Sequence, residues 1–290
     1  MGAGRAIKQC VLWVVLASGL LAQGPPPLPI LPGWTSIKLR GIGQDLIYVP
    51  PAAGVARQAP ILFLPGDGGW RGFAVELAEH LASEGHPVYG LDTKKYLTSF
   101  TAARGHLTVR SIAGDLHHLL AWMVPHHGAK VLVVGWSQGA AMALLAAHGR
   151  TGHRDVLGVI ALSLPEEAAL GWSWKDTLLS VFRKRPAQPH FPVAEQIPGV
   201  TPVPIALIHP SQDAYTTPNQ VTAMFRLAKA PKRLRIICGA SHSFAETRSE
   251  LWQVLETILV WTRQPRPEDA TPGEETQRAC SGVADSLRVN

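Results

Sequence analysis

The sequence predicts an α/β fold with a mostly parallel central sheet and helices on both of its faces. Short apolar runs typical of buried strands alternate along the chain with longer stretches whose apolar residues recur every three or four positions, the spacing of one helix face. This alternation is the pattern of a parallel sheet. With 290 residues, 46% of them hydrophobic, the chain can bury one large core, so one folded domain is expected.

The elements are predicted in the following order. A hairpin at Ser36–Arg40 and Asp45–Val49 opens the domain. Further strands are expected at Ile61–Leu64, Val88–Leu91, Val131–Val134, Val156–Leu162, Val203–Ile208 and Arg233–Cys238. Helices are expected at Phe73–Ser83, Val109–Met123, Ala140–Ala147, Pro218–Ala228 and Glu246–Thr262.

Three stretches fall outside this rhythm. Residues 165–202 form a long insertion that is predicted to cap the site, within a domain expected to span residues 35–263. Residues 23–34 read as a stiff Pro-rich linker, and residues 264–290 are polar and predicted to be disordered.

The first residues predict export. Arg5 and Lys8 precede an apolar run, Cys10 to Ala22, which is long enough for the central region of a signal peptide but short of the roughly 20 residues of a spanning helix. Residues 1–22 are therefore predicted to be a signal peptide and the protein to be periplasmic. Leu20 is a poor residue near the cleavage point, so an uncleaved anchor is the alternative.

Charge and cysteine content exclude some classes. The formal net charge of +6 falls to +4 without Arg5 and Lys8, too small and scattered an excess to predict nucleic-acid binding. Three cysteines cannot form a disulfide framework, and the sequence leaves open whether Cys238 and Cys280 pair.

The stretch VLVVGWSQGAAMALLAAH indicates a nucleophile. Ser137 stands between Gly135 and Gly139, where a buried strand is followed by a helix. In such an elbow the middle residue is strained and exposed, and a Cβ two places before or after it would collide with the neighbouring strand and helix. Ser137 is therefore the candidate nucleophile, with a tight turn of no catalytic role as the alternative.

A serine hydroxyl needs a base, and a carboxylate to hold that base. His242 follows the strand Arg233–Cys238, and Asp213 follows the strand Val203–Ile208. The order Ser, Asp, His is the one expected for α/β-hydrolases. Asp213 can instead cap the helix after it, and Asp92 and Glu166, which also follow strands, are rivals for its role.

Two backbone N–H groups should stabilise the developing oxyanion. The amide of Gln138, directly after the serine, is one, and the amide of Asp67, in the loop LPGDGGW, is the other. The loop lacks the Gly-Lys-Ser/Thr ending of a phosphate-binding loop. The predicted substrate contacts are Asp67, Gly68, Trp70 and Trp136. No metal or organic cofactor is predicted.

These residues resemble a known family. The segment PGDGGWRGFAVELAEHLASEGHPVYGLDTKKY, then GWSQGA, Asp213 and SHSF are similar to the VirJ/AcvB family of bacterial virulence proteins, a branch of the α/β-hydrolases. The similarity extends roughly from Ile61 to Val260. Gly-Ala-Ser-His-Ser-Phe stands where the family pattern has Gly-Gly-His-His-Phe.

The resemblance implies a periplasmic serine hydrolase that cleaves the aminoacyl ester of lysyl-phosphatidylglycerol. We expect the Asp67 side chain either to recognise the substrate ammonium or to pin the glycine loop. The cap carries Trp174, Leu178, Val181 and Phe182 at helical spacing, followed by Arg183–Arg185, which suits either anionic lipid headgroups or packing over the site. A general carboxylesterase or thioesterase and a non-catalytic periplasmic scaffold are the alternatives, and the sequence does not indicate the oligomeric state.

Overall fold

The structure, a computed structural model, describes residues 33–102, 107–172, 189–265 and 280. All of them belong to one compact unit. The predicted signal peptide lies outside the described residues, as do nearly all of the predicted linker and tail. Within the described ranges, no helix is both long enough and apolar enough to cross a membrane.

The described chain contains ten strands and seven α-helices. The strands are β1 (Gly33–Leu39), β2 (Ile42–Val49), β3 (Ile61–Leu64), β4 (Val88–Leu91), β5 (Val131–Trp136), β6 (Val156–Leu162), β7 (Glu167–Ala169), β8 (His190–Pro192), β9 (Ile205–Pro210) and β10 (Lys232–Ile237). The α-helices are α1 (Phe73–Ser83), α2 (Thr93–Ala102), α3 (Val109–His127), α4 (Gln138–Ala146), α5 (Gly149–Asp155), α6 (Pro218–Leu227) and α7 (Arg248–Arg263). Short 3-10 helices cover Ala194–Val200 and Ala245–Thr247.

Eight strands form one sheet in the order β1-β2-β4-β3-β5-β6-β9-β10. β2 runs antiparallel to both β1 and β4, and every other neighbouring pair is parallel. The predicted mostly parallel α/β sheet is confirmed. Since the carboxyl ends of parallel strands lie at one edge, the loops that follow β3, β5, β6, β9 and β10 meet there.

The core surrounds the sheet because its central strands are buried on both faces. All four residues of β3 are buried, as are all residues of β9. The small-residue helix α4 is buried along its whole length, from Gln138 to Ala146. Its alanines and Gly139 allow this close approach, so the sequence after the serine is explained by packing as well as by chemistry.

Caps and turns fix the ends of the helices. α3 starts with a capping box between Thr108 and Ser111 and ends at Gly128, whose φ of 61° is left-handed. α6 starts with a second capping box, between Thr217 and Gln220, with a proline at its first turn.

Several predicted boundaries differ from the structure. β1 begins at Gly33, two residues inside the predicted linker, because its pairing with β2 extends to Tyr48. α2 and α5 were not predicted. α2 is short and polar overall, and Asp92 defines its start by accepting a hydrogen bond from the Lys95 amide at 3.0 Å.

Candidate active site

The expected edge of the sheet carries a cavity of about 690 Å³. The loops after β3, β5, β6, β9 and β10 contribute to its wall. The lining includes Gly66, Asp67, Gly68, Gly69, Arg71, Trp136, Ser137, Gln138, Glu166, Glu167, Trp172, His190, Tyr215 and His242. The candidate nucleophile and the candidate base therefore face one cavity, although 105 positions separate them in the sequence.

Ser137 occupies a strained turn between β5 and α4. Its φ and ψ are 55° and −123°, and its N–H donates to the Leu162 carbonyl at 2.9 Å. A Cβ on Gly135 would stand 2.2 Å from the carbonyl oxygen of Gly139, and one on Gly139 would stand 1.9 Å from that of Leu64. The structure confirms the steric reason for both glycines. The elbow presents Ser137 at the N-terminus of α4.

His242 and Asp213 form a hydrogen-bonded pair. His242 Nδ1 lies 2.8 Å from Asp213 Oδ2, and the Asp213 side chain is 0% exposed. A deprotonated carboxylate is acceptor-only, so Nδ1 carries the proton of a neutral imidazole and Nε2 is left unprotonated. An unprotonated nitrogen is what a general base needs.

The second carboxylate oxygen of Asp213 is held by its own turn. Oδ1 accepts from the amides of Tyr215 at 2.8 Å and Thr216 at 3.2 Å. Burial raises the pKa of Asp213, but the hydrogen bonds from His242, Tyr215 and Thr216 lower it by more, so its pKa lies below the usual value. Asp213 is therefore charged at neutral pH.

A buried histidine donates a hydrogen bond to the turn that follows Asp213. His209, at the end of β9, is fully buried, and its Nε2 lies 2.8 Å from the Thr216 carbonyl, to which it donates. Burial lowers the pKa of His209 and keeps the imidazole neutral. No local pattern distinguishes His209 in the sequence, because its position predicts core packing as readily as a role beside Asp213.

The two rival carboxylates have other partners. Asp92 accepts from the amides of Trp70 at 3.3 Å and Lys95 at 3.0 Å, so it holds the glycine loop and caps α2. Glu166 accepts from the Gln220 side chain at 2.6 Å. Of the three candidates, Asp213 alone among the described residues bonds to His242.

The glycine loop lies against the nucleophile. A Cβ on Gly66 would stand 3.3 Å from the Ser137 Cβ, and Gly69 has a φ of +80°. The amides of Asp67 and Gln138 donate to no other residue within the described ranges. Both are thus available to an oxyanion at the cavity.

The Gln138 side chain connects the elbow to the predicted cap. Its Nε2 donates to the Ala169 carbonyl at 3.0 Å, and its Oε1 accepts from the Ala169 amide at 2.9 Å. Ala169 ends β7, which pairs antiparallel with β8. The predicted cap residues Trp174, Leu178, Val181, Phe182 and Arg183–Arg185 lie outside the described residues.

The two predicted tryptophan contacts differ. Trp136 lines the cavity, whereas Trp70 is absent from its lining and packs on Phe63, with ring centroids 5.7 Å apart. A Cβ on Gly90 would stand 1.9 Å from the Trp70 ring, so this ring fills the space above β4. The role of Trp70 as a substrate contact stays a prediction, since its partly buried ring packs against the core and does not line this cavity.

Tyr215 is a lining residue that the sequence analysis missed. It is 75% exposed, and its ring stands edge-on to the His242 ring with centroids 4.7 Å apart. Its position two residues after Asp213 was the available signal.

Cys238 and Cys280 form a disulfide, with an S–S distance of 2.01 Å. Cys238 directly follows β10 and lies four residues before His242. The sequence had left this pairing open.

Away from the cavity, the described part of the chain contains one group of side chains with the composition of a metal site. His80, Glu84 and Glu256 each place one ligand atom within 4.8 Å of the others. None of the three lines the cavity. The absence of a metal from the reaction stays a prediction.

The fold is shared with several solved hydrolases. Est1E from Butyrivibrio proteoclasticus is 14% identical, with a TM-score of 0.59, over 79% of this chain and 98% of that one. An alpha-beta serine hydrolase homologue from Coxiella burnetii is 17% identical, with a TM-score of 0.58, over 80% and 99%. A dienelactone hydrolase from Anabaena variabilis is 21% identical, with a TM-score of 0.57, over 80% and 97%. At these identities the likeness establishes the fold.

The sequence comparison is more specific but covers less of the chain. No curated protein sequence matches it. The family described as bacterial virulence protein (VirJ) matches residues 59–165, which include the glycine loop and the serine elbow but neither Asp213 nor His242. Residues 59–165 thus carry the sequence pattern of the VirJ family, on the fold of an α/β-hydrolase.

Proposed function

We propose that this protein is a serine hydrolase that cleaves carboxylic esters. One observation carries the proposal: the buried Asp213 carboxylate lies 2.8 Å from Nδ1 of His242, and His242 shares a cavity wall with the elbow serine. A non-catalytic scaffold has no need to hold a histidine in this tautomer in the same cavity wall as a strained serine.

The residues suit acyl transfer. His242 Nε2 takes the proton of Ser137 as Oγ forms a bond to the ester carbonyl carbon, and the amides of Asp67 and Gln138 donate to the resulting oxyanion. The C–O bond to the alcohol then breaks, and His242 returns the proton to the leaving oxygen. Water, deprotonated by the same imidazole, attacks the acyl-enzyme, and the acid leaves with regeneration of the Ser137 hydroxyl.

For the substrate we propose the aminoacyl ester of an aminoacylated phosphatidylglycerol such as lysyl-phosphatidylglycerol. Two features support it: the match of residues 59–165 to the VirJ family, and the charge of the cavity wall. Among the described residues, the cavity wall contains three carboxylates, those of Asp67, Glu166 and Glu167, and one guanidinium, that of Arg71. Carboxylates favour a cationic acyl group over a neutral one.

A periplasmic location fits this substrate, which is a membrane lipid. The Cys238–Cys280 disulfide supports it, because disulfides persist in oxidising compartments and are rare in the cytosol. Peripheral contact of residues 165–202 with the membrane stays a prediction. Binding to anionic vesicles that survives charge reversal at Arg183–Arg185 would remove the headgroup role of those residues.

The substrate is tested by direct comparison. Purified protein is given lysyl-phosphatidylglycerol and, separately, short neutral acyl esters and thioesters, with Ser137→Ala as the control. We expect lysine release from the lipid, and none from the variant. Hydrolysis of the neutral esters alone would leave a general carboxylesterase or thioesterase, and hydrolysis of none would remove the enzymatic proposal.

The Asp67 side chain is tested by charge removal. Asp67→Asn retains the backbone amide, so the oxyanion contact survives while the negative charge is lost. We expect kcat/KM to fall about tenfold on the lysyl ester and to change little on a neutral ester, since a charge-assisted hydrogen bond is lost. Glu79→Gln, on the exposed face of α1, is the matched control. Equal losses on both esters would assign Asp67 to holding the loop instead.

A further inference from the structure

The backbone carbonyl of His242 accepts two side-chain hydrogen bonds. Trp136 Nε1–H donates to it at 3.2 Å, and Ser163 Oγ–H donates to it at 2.9 Å. A carbonyl oxygen has two lone pairs, so these two donors satisfy it fully. The two donors come from the ends of neighbouring strands, since Trp136 pairs with Leu162, the residue before Ser163.

Ser163 is held in an unfavourable backbone conformation. Its φ is +49°, the residue is 1% exposed, and its N–H donates to the Ile208 carbonyl at 2.9 Å. A left-handed conformation is costly for a residue with a Cβ, and glycine would adopt it at less cost. The hydroxyl is what serine adds over glycine here, and its partner is the carbonyl of His242.

Trp136 is fixed by packing. Its ring stands edge-on to Phe73, with centroids 5.0 Å apart at 89°, and a Cβ on Gly66 would stand 3.4 Å from it. Trp136 also directly precedes Ser137. Its indole N–H therefore ties the main chain of the candidate base to the strand that carries the nucleophile.

Other contacts hold the rest of the histidine loop but not its main chain at 242. The amide and hydroxyl of Ser241 donate to Glu246, and the Ala240 carbonyl accepts from the Gln212 amide at 2.9 Å. At His242 itself, Asp213 holds the ring and the two donors hold the backbone. Together these bonds leave the imidazole little freedom to rotate or withdraw.

We infer that Ser163 and Trp136 are positioning residues, which hold the backbone carbonyl of His242 and thereby set the imidazole beside Ser137. This inference rests on the proposed function and adds two residues that act through the histidine. A misplacement of a catalytic group by about 1 Å can cost 10²-fold in rate.

Ser163 is tested with two variants that remove the same hydroxyl. Ser163→Ala keeps the backbone strain, and Ser163→Gly relieves it, so the two differ in folding stability but not in the lost hydrogen bond. We expect both to lower kcat about tenfold with KM unchanged, on whichever ester the wild type cleaves. Trp136→Phe, which removes the second donor, should lower kcat in the same way.

A second measurement does not depend on turnover. The downfield proton resonance of His242 Nδ1–H should be present in the wild type, absent in Asp213→Asn, and shifted or broadened in both Ser163 variants. A wild-type kcat together with an unchanged resonance in both variants would overturn the inference. It would also be overturned if the loss of kcat followed folding stability, with Ser163→Gly more active than Ser163→Ala. A wild type without esterase activity would refute the proposed function. The resonance would still test whether Ser163 holds the backbone carbonyl of His242.

Discussion

At the scale of residues, the site depends on a few groups that are held in one conformation. Ser137 is strained at φ 55°, and Asp213 accepts three hydrogen bonds, from His242, Tyr215 and Thr216. Such a carboxylate orients the imidazole and selects its tautomer. The cost of the strained turn is offset by the packing of the surrounding core.

Asp213→Asn tests this role of the carboxylate. The amide can present an N–H to Nδ1, which would favour the wrong tautomer and leave no free lone pair at Nε2. We expect ester hydrolysis to fall on the order of 10³- to 10⁴-fold with little change in the midpoint of thermal unfolding. Asp45→Asn, on an exposed position of β2, should have wild-type activity. A loss below tenfold in Asp213→Asn would show that another group orients His242.

At the scale of elements, the apolar pattern predicted β3, α1, β4 and β6 with their exact bounds, because buried strands and amphipathic helices have distinct periods. It missed α5, which contains two glycines, and the three-residue strands β7 and β8, which are too short to show a period. The strand β9 starts later than predicted, after Pro204, because proline lacks the N–H that a ladder needs.

Only part of the candidate site could be predicted from the sequence. The elbow, Asp213 and His242 could be selected because each follows a strand of a parallel sheet. Ser163 and His209 also follow or end strands, but their roles depend on hydrogen bonds to distant loops, which no local pattern reports. Trp136 ends β5 and Trp70 follows the glycine loop, and only their packing distinguishes the ring that lines the cavity from the one above Gly90.

The elbow glycines give a prediction about α4 and its strand. Gly139→Ala places a methyl group against the Leu64 backbone, which cannot yield as a flexible side chain can, so we expect a loss of about 1–3 kcal/mol or more in the free energy of unfolding. Gly114→Ala is the matched control. Gly114 lies on an exposed face of α3 with no atom near its added Cβ, so the change should stabilise by about 0.5–1 kcal/mol. Chemical denaturation of both variants measures the difference, and equal stabilities would contradict the close approach at the elbow.

At the scale of the whole molecule, several histidines are buried or half-buried, which favours their neutral form. Burial lowers the pKa of each of them, and that of His127 to about 4. The group comprises His80, His86, His117, His127, His148 and His209. Each of them binds a proton less readily in the folded protein than in the unfolded chain, where the pKa of histidine is about 6.5.

This predicts a loss of stability in mild acid. The contribution of these histidines is fully present above pH about 6.5 and is lost as the pH falls toward their lower folded-state pKa values, because the unfolded state then binds more protons. The midpoint of thermal unfolding should fall steadily between pH 7 and pH 5. His127→Gln should reduce the slope, and His118→Gln, on the exposed side of α3, should not. A midpoint that is constant or rises over this range would contradict the buried neutral state.

The central claim is that folding brings Ser137 and His242 together as a nucleophile and its base. It is tested most directly by treating the purified protein with a fluorophosphonate and mapping the modified residue by mass spectrometry. We expect stoichiometric phosphonylation of Ser137, much slower labelling in His242→Ala, and no labelling in Ser137→Ala. The claim would be contradicted if the folded wild-type protein stayed unlabelled. It would also be contradicted if the His242→Ala variant were labelled as fast as the wild type.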